Sequence, residues 1–181
     1  MPAARLPLIK TPMAATQVTR PFHHPGWIYE EKVDGWRGLA YKDAAGARLV
    51  SRNARDLTRR FPELVAAVAA LEVPTLLLDG EIAVFDRRLL SRLEWLRGRP
   101  LRVRRNVLEA LLDGQRLILP ARRLADDGLE AWSQVLERGY EGLVGKDAAS
   151  PYREGRTLSW LKVKQPRYRE GERGWEPKGK S

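Results

Sequence analysis

Strand-like and helix-like patterns follow one another in this sequence without regular alternation, and that order most constrains the fold. From Trp27 the chain has short β-like runs, WIYEEKV, RGLAYK and ARLVSR, separated by the turn-forming pair Asp34-Gly35 and by a turn at Gly46. PELVAAVAAL then predicts a helix that begins at Pro62 and has one apolar stripe. We therefore expect an α+β fold in which helices flank antiparallel β-sheets, and not a doubly wound parallel sheet.

The second half of the chain continues this mixed order. TLLLDGEIAVF is typical of a buried strand with a turn or bulge at Gly80, and EGLVGK and SWLKVK predict two further strands. Asp127 with Glu130 predicts the capped start of a helix that Gly139 ends. LRVRRNVLEALLDG predicts another, amphipathic helix with an apolar side formed by Val103, Val107, Leu108 and Leu111.

Length and charge favour one basic domain. A chain of 181 residues that is 43% hydrophobic can bury one core. We divide it into an extended lead-in over residues 1–26, a folded domain over residues 27–164 and a basic tail over residues 165–181. The 33 Lys and Arg against 23 Asp and Glu give a net charge of +10, which favours a polyanionic partner such as nucleic acid.

The basic residues concentrate in two segments. One runs from Arg87 to Arg105 and the other from Pro151 to Ser181, and each offers a patch for phosphates. For the middle segment, a solvated arginine-rich helix is an equally good explanation.

The composition also excludes several classes of protein. Because the sequence has no cysteine, disulfides, thiol catalysis and cysteine-based zinc sites are excluded. No stretch approaches the ~20 apolar residues of a membrane span. We therefore expect a cytoplasmic protein with no membrane association.

Charged residues at alternate positions mark a candidate site. In an extended WIYEEKVDGWR, Glu30, Lys32 and Asp34 would share one face, with the lysine between two carboxylates. TLLLDGEI likewise places Asp79 and Glu81 on a common face, where they can bind a hard cation or a ribose hydroxyl. Taken singly, each pattern is explained as well by a solvated strand face or a turn.

The last two predicted strands add further charged residues. EGLVGKD contains Glu141 and Lys146, and SWLKVKQ projects Trp160, Lys162 and Lys164 to one face. Lysines at every second position suit a bound phosphate, although a polar surface beside the core is the better explanation of this strand taken alone.

Together these segments resemble the nucleotidyltransferase motifs of the ATP-dependent DNA ligases. Five segments occur in the order of that family, from about Pro12 to Lys164: EKVDGWR, LVSRN, LLDGEI, EGLVGK and WLKVK. The bacterial repair-type ligases are the most similar in sequence. The resemblance implies a ligase-type, ATP-grasp-like nucleotidyltransferase domain. It also implies an enzyme that forms lysyl-AMP from ATP, with Mg²⁺ or Mn²⁺, and transfers AMP to the 5′-phosphate of nicked duplex DNA in repair.

The resemblance assigns roles around the nucleotide. Lys32 would attack the α-phosphate of ATP, and Glu30 would accept a hydrogen bond from the adenine amino group. Asp34 belongs to the same nucleotide-binding set, and Arg37 and Glu81 would hold the ribose. Since an ordinary lysine amine is almost wholly protonated at neutral pH, Lys32 must lose its proton before it attacks.

The resemblance also assigns roles around the phosphates. Lys162 and Lys164 would grip the α-phosphate, and Glu81 and Glu141 would lie near the divalent metal. The residues that would face the 5′-phosphate at a nick are Arg52 and Asn53.

Two expected features of the family are not found in the sequence. The strand between LLDGEI and EGLVGK that carries an adenine-stacking aromatic residue looks lost near Pro100, and that loss would weaken ATP binding by roughly ten- to a hundredfold. The tail RYREGERGWEPKGKS cannot form the OB-fold that usually follows. We therefore expect a partner protein that supplies an OB-fold or an end-binding function.

Other functions remain open at this point. The chain could be a weakly active or inactive remnant that binds nucleotide or nucleic acid. It could instead be an RNA ligase, which shares the lysine motif.

Overall fold

A computed structural model describes residue 6, residues 9–83, the backbone of residues 93–94, residues 100–166 and residue 168. In these residues the chain forms two β-sheets, with three helices beside them. The elements, in chain order, are β1 Ala14–Gln17, β2 Trp27–Glu31, β3 Trp36–Asp43, β4 Gly46–Ser51, α1 Pro62–Ala70, β5 Leu76–Ile82, β6 Leu93–Glu94, α2 Leu101–Leu111, α3 Gly128–Arg138, β7 Gly142–Asp147 and β8 Arg156–Lys164.

The two sheets have four strands each. The first sheet has the order β1-β8-β7-β2, in which β1 is parallel to β8 and the other neighbours are antiparallel. The second sheet has the order β4-β3-β5-β6 and is antiparallel throughout. Mixed and antiparallel sheets with a few helices confirm the expected α+β class in this general form.

Helix α1 covers one face of the second sheet. Pro62 occupies the first turn as predicted, because a missing N–H costs nothing there. Val68 and Leu71 of the predicted apolar stripe are buried against Leu78 and Leu108. This cluster is the hydrophobic core beneath the second sheet.

Strand β5 is continuous, so the predicted turn or bulge at Gly80 is wrong. From Leu76 to Ile82 every residue of β5 pairs with β3 in one register, and Gly80 lies opposite Gly38. The continuous strand keeps Asp79 and Glu81 in a regular position beside β3.

Helix α2 forms where predicted, and Leu108 of its predicted apolar side is buried, but the buried face also includes two arginines. Its buried residues are Leu101, Arg104, Arg105 and Leu108, whereas Val107 is exposed. The N-terminal half of the helix docks on the loop after β7, where Leu101 N–H donates to the Ser150 carbonyl at 3.0 Å. Two residues of the predicted middle basic patch are therefore interior residues, while the part of that patch over residues 87–99 lies outside the residues with described side chains.

Helix α3 confirms its predicted ends. The Asp127 carboxylate accepts hydrogen bonds from Leu129 N–H at 2.8 Å and Glu130 N–H at 3.0 Å. Gly139 has φ 68°, the left-handed conformation that ends many helices.

Two segments differ from the sequence-based division of the chain. The predicted lead-in contains β1, an edge strand of the first sheet. The expected loss of an aromatic-bearing strand near Pro100 stays a prediction, but the sequence did not predict β6, which pairs with Asp79 and Gly80 of β5. Its side chains, and most of the tail predicted over residues 165–181, lie outside the described residues. Within the described residues, no helix is long and apolar enough to cross a membrane.

Candidate nucleotide site

A cavity of about 250 Å³ is lined by residues from both sheets. Strands β2, β7 and β8 line it from the first sheet, and β3 and β5 from the second. Six of the predicted site residues line it: Glu30, Lys32, Arg37, Arg52, Glu81 and Lys162. Four others lie outside its described lining: Asp34, Asn53, Glu141 and Lys164.

Lys32 is the first residue after the end of β2. The Lys32 N–H still donates to the Gly142 carbonyl at 2.9 Å, which holds the residue against β7. Asp34 is exposed in the following turn, where the Tyr168 hydroxyl lies 3.4 Å from its carboxylate. The prediction that Glu30, Lys32 and Asp34 share one strand face is therefore wrong, because the strand conformation stops at Glu31.

Gly35 shows why the chain turns here. A Cβ at this position would lie 2.6 Å from the Ile82 carbonyl oxygen, a distance that real Cβ atoms do not adopt. The turn after Lys32 therefore passes directly over the end of β5. This contact brings the lysine from the first sheet to the carboxylates of the second.

Glu141 binds two lysines at the start of β7. Its carboxylate accepts a hydrogen bond from the Lys32 amine, and Lys164 Nζ lies 2.8 Å from its other oxygen. Burial alone would raise the pKa of Glu141, but the hydrogen bonds from Lys164 and Lys32 outweigh that effect and hold the pKa below its usual range. The carboxylate is thus ionised at neutral pH.

Glu81 has the opposite electrostatic character. Burial raises the pKa of Glu81 to about 7, although the charges of Arg37 and Lys32 oppose the rise. Across the cavity, burial lowers the pKa of Lys162, and the charge of Lys32 lowers it further. We call Lys32, Glu81, Glu141, Lys162 and Lys164 the Lys32 cluster.

A hydrogen-bonded network fixes the wall formed by β3 and β5. Arg37 Nε and Nη2 donate to the two Asp79 carboxylate oxygens, each at 2.6 Å, and Nη2 also donates to the Met13 carbonyl at 2.6 Å. The Tyr152 hydroxyl donates to Asp79 and accepts from Met13 N–H at 3.0 Å. The network joins both sheets and the segment before β1.

Sequence reasoning missed part of this network. Asp79 was placed on the same face as Glu81, but its ion pair with Arg37 was not foreseen. Tyr152 lies in SPYREGR, just before the predicted strand SWLKVK, and it was not singled out from the sequence.

Glu30 lies in a buried cluster of charges. Arg105 donates to Glu30 Oε1, and Lys146 Nζ lies 2.5 Å from Glu30 Oε2. Lys146 Nζ also lies 4.4 Å from the centre of the Trp160 ring. We call Glu30, Arg105 and Lys146 the Glu30 cluster, and sequence analysis did not place Arg105 in the site.

Arg52 is presented by a tight turn between β4 and α1. The Arg52 N–H donates to the Arg37 carbonyl at 3.0 Å, and Ser51 N–H donates to the Arg55 carbonyl at 2.8 Å. Ala54 has φ 58°, a left-handed conformation that is unfavourable for a residue with a side chain. The turn exposes Arg52 and Asn53 together at the edge of the cavity.

The carboxylates of the Lys32 cluster can hold a hard cation. Within the described part of the chain, no group of three or more His, Asp or Glu residues forms a ready metal site. Mg²⁺, however, is usually bound by one or two carboxylates together with substrate phosphates. Glu81 and Glu141 are close enough for the charge of Glu141 to affect the pKa of Glu81, so they fit that pattern.

Comparisons with known proteins agree with these motifs. The family profile described as "ATP dependent DNA ligase domain" matches residues 7–99 and 89–164. The chain is 34% identical to the multifunctional non-homologous end joining protein LigD of Mycolicibacterium smegmatis, over 84% of this chain and 23% of that protein. It is 30% identical to DNA ligase C1 of the same organism, over 89% of this chain and 58% of that protein. The chain thus spans about a quarter of LigD and just over half of DNA ligase C1.

Solved structures show the same likeness. A mycobacterial DNA ligase D complexed with ATP and MES matches with a TM-score of 0.70 and 32% identity, over 85% of this chain and 60% of that chain. The ligase domain of M. tuberculosis LigD matches with a TM-score of 0.69 and 32% identity, over 85% of this chain and 59% of that chain. With its motifs gathered around one cavity and a family profile that covers most of its length, the chain belongs to the ATP-dependent DNA ligase domain family.

Proposed function

We propose that this domain reacts with ATP to form a covalent lysyl-AMP at Lys32 and passes the AMP to DNA. One observation carries the proposal. The Lys32 amine reaches a cavity that is lined from both sheets and is paired there with Glu141, within electrostatic range of Glu81 and Lys162.

The first step follows from this arrangement. The Lys32 amine, after losing a proton, attacks the α-phosphorus of ATP, so that a P–N bond forms while the P–O bond to the β-phosphate breaks and pyrophosphate leaves. Lys162 and Lys164 both project from β8 near Glu141, and their charges stabilise the negative charge that develops on the phosphates. Lysyl-AMP is activated, because an oxygen of a second phosphate can attack its phosphorus while the P–N bond breaks and the lysine leaves.

A divalent cation, Mg²⁺ or Mn²⁺, would be held by Glu81 and Glu141 and would supply further positive charge to the phosphates. The residues themselves prepare for this role. Glu141 is ionised and contacts two lysines, one through each oxygen, and Glu81 ionises near neutral pH. Arg37, locked onto Asp79, gives the ribose side of the cavity a fixed wall.

The substrate we propose is nicked duplex DNA, with a role in repair as in the LigD relatives. The net charge of +10 favours a polyanion, and the exposed turn with Arg52 and Asn53 lies beside the cavity, where it can receive a 5′-phosphate. The AMP would pass to that phosphate, and a 3′-hydroxyl would then displace AMP and seal the nick. A partner that supplies an OB-fold or end-binding function would help to hold the duplex.

The experiment that tests this function is labelling with ATP that carries ³²P on its α-phosphate, in the presence of Mg²⁺ or Mn²⁺. We expect a labelled protein that disappears in Lys32→Ala and persists in Lys10→Ala, which removes an exposed lysine. Chasing the label with nicked DNA or nicked RNA duplexes then identifies the acceptor. Absence of label at millimolar ATP, or label that survives in Lys32→Ala, contradicts the proposal.

A further inference from the structure

Arg105 is an unusual neighbour for a nucleotide cavity, because it is almost completely buried behind the lining. It is 1% exposed, Glu30 is 2% exposed, and the two form an ion pair across 75 positions of sequence. Glu30 lines the cavity, whereas Arg105 does not belong to its described lining. Arg105 therefore touches the residue that faces a ligand, and not the space that a ligand would fill.

The guanidinium of Arg105 is itself held from several sides. It donates to the Ala121 carbonyl, and its Nε donates to Glu109 at 2.9 Å, in addition to the bond to Glu30. A planar guanidinium with five N–H donors can satisfy such a set of acceptors in one orientation, and a single ammonium group cannot. Arg105 thus fixes the position of the Glu30 carboxylate against α2 and the segment around Ala121.

The charges of Arg105 and Lys146 both favour the ionised form of Glu30. A buried carboxyl group without a cation favours its neutral form, because charge is costly away from water. A carboxylate only accepts hydrogen bonds, whereas a neutral carboxyl group can also donate one. The carboxylate suits a purine with an amino group at position 6, because that group donates a hydrogen bond. The neutral carboxyl group also tolerates a purine with a carbonyl oxygen there, because it can donate to that oxygen.

We propose that Arg105 is a positioning residue that holds the Glu30 carboxylate, in place and ionised, to select a 6-aminopurine over a 6-oxopurine nucleotide. The inference rests on the proposed function, since it concerns the nucleotide that reacts with Lys32. It assigns to α2 a role in choosing the base, although α2 contains none of the sequence motifs that resemble the ligase family.

The test is a competition between ATP and inosine triphosphate, which differ at position 6 of the purine. The full chain is incubated with equal concentrations of both and Mg²⁺, and intact mass spectrometry measures the ratio of AMP to IMP adducts. We expect wild type to prefer ATP, and Arg105→Met to lower that preference at least tenfold. A merely structural effect would lower both adducts together and leave their ratio unchanged.

Two matched variants separate this role from the loss of any arginine on α2. Arg104→Met removes the other buried arginine, whose guanidinium lies 3.5 Å from the Ser150 carbonyl, and Arg102→Met removes an exposed one. Both should keep the wild-type ratio. Thermal denaturation shows whether Arg105→Met folds. If it does not, Arg105→Lys replaces it in the test, and we expect its preference for ATP over inosine triphosphate to fall at least threefold.

The inference is overturned if wild type shows no preference, if the Arg105 variants keep the wild-type ratio, or if Arg104→Met lowers the ratio as much. Failure of the proposed function has a different signature, which is the absence of any adduct in wild type. In that event, calorimetry on the same variants measures the binding constants of ATP and inosine triphosphate. Their ratio gives the preference for the base without requiring the adenylation reaction. An unchanged ratio of binding constants then overturns the role of Arg105.

Discussion

The Glu30 cluster and the Lys32 cluster both contribute residues to the lining of the same cavity but have different physical characters. In the Glu30 cluster, Arg105 and Lys146 are held on one buried carboxylate. In the Lys32 cluster, the Lys164 side chain is 46% exposed, and Glu141 is shared between two lysines. Under the proposed function we infer a division of work, in which the Glu30 cluster recognises the nucleotide and the Lys32 cluster reacts with it.

If that division is correct, the largest effect on stability comes from the Glu30 cluster. Glu30→Gln leaves Arg105 and Lys146 without their shared charge in a buried position, and we expect the free energy of unfolding to fall by about 3–5 kcal/mol. Glu141→Gln is the matched control and should cost less than half as much, because Lys164 can turn to water. Urea denaturation followed by circular dichroism measures both, and equal losses would remove the distinction between the clusters.

The largest effect on rate should come from the Lys32 cluster. Lys162→Ala removes a charge that stabilises the phosphates in the transition state, so we expect the rate of adduct formation at saturating ATP to fall roughly a hundredfold. The affinity for ATP should change much less. Arg156→Ala, an exposed residue on the same strand, is the control and should stay near wild type. A loss confined to ATP affinity would assign Lys162 to binding instead.

Glu81 offers a test by pH. Because burial raises its pKa to about 7 from an ordinary 4.5, the carboxyl becomes protonated below neutral pH and then loses the negative charge that would hold a cation. We expect kcat/KM for adduct formation to fall about tenfold per pH unit below 7. Glu81→Gln should lower the rate and remove the fall in kcat/KM below pH 7. A pH profile unchanged by the substitution would assign that fall to another group.

The same shift has a consequence for stability. The folded state binds more protons than the unfolded state between pH 4.5 and about 7, so the contribution of Glu81 to the free energy of unfolding falls as pH rises through that interval. Glu81→Gln should remove this slope when urea midpoints are compared at the two ends of the interval.

The smallest effect concerns the turn that presents Arg52 beside the Lys32 cluster. Ala54 has a positive φ, and Ala54→Gly should raise the free energy of unfolding by about 1 kcal/mol, because glycine adopts this conformation without a Cβ clash. Ala66→Gly in α1 is the control with the same change of side chain, and it should lower stability by a similar amount. Two changes of the same sign would show that Ala54 is not strained.

The helix and strand patterns were predictable because their causes are local. Pro62 and Asp127 begin helices through groups within one turn, and alternating residues mark β5 and β8. The end of β2 was less predictable. It depends on the close approach of Gly35 to Ile82, which lies in the other sheet.

The sequence by itself determined the family, most of the helices and strands along the chain and the residue types around Lys32, because each of these is recorded in short runs of neighbouring residues. Only the tertiary structure decided which face of α2 is buried and that Arg105 pairs with Glu30. It also decided that Tyr152 joins Arg37 through Asp79. The physical reason is that a buried charge is tolerated only beside its partner, and these partners are 73 and 75 positions apart in the chain.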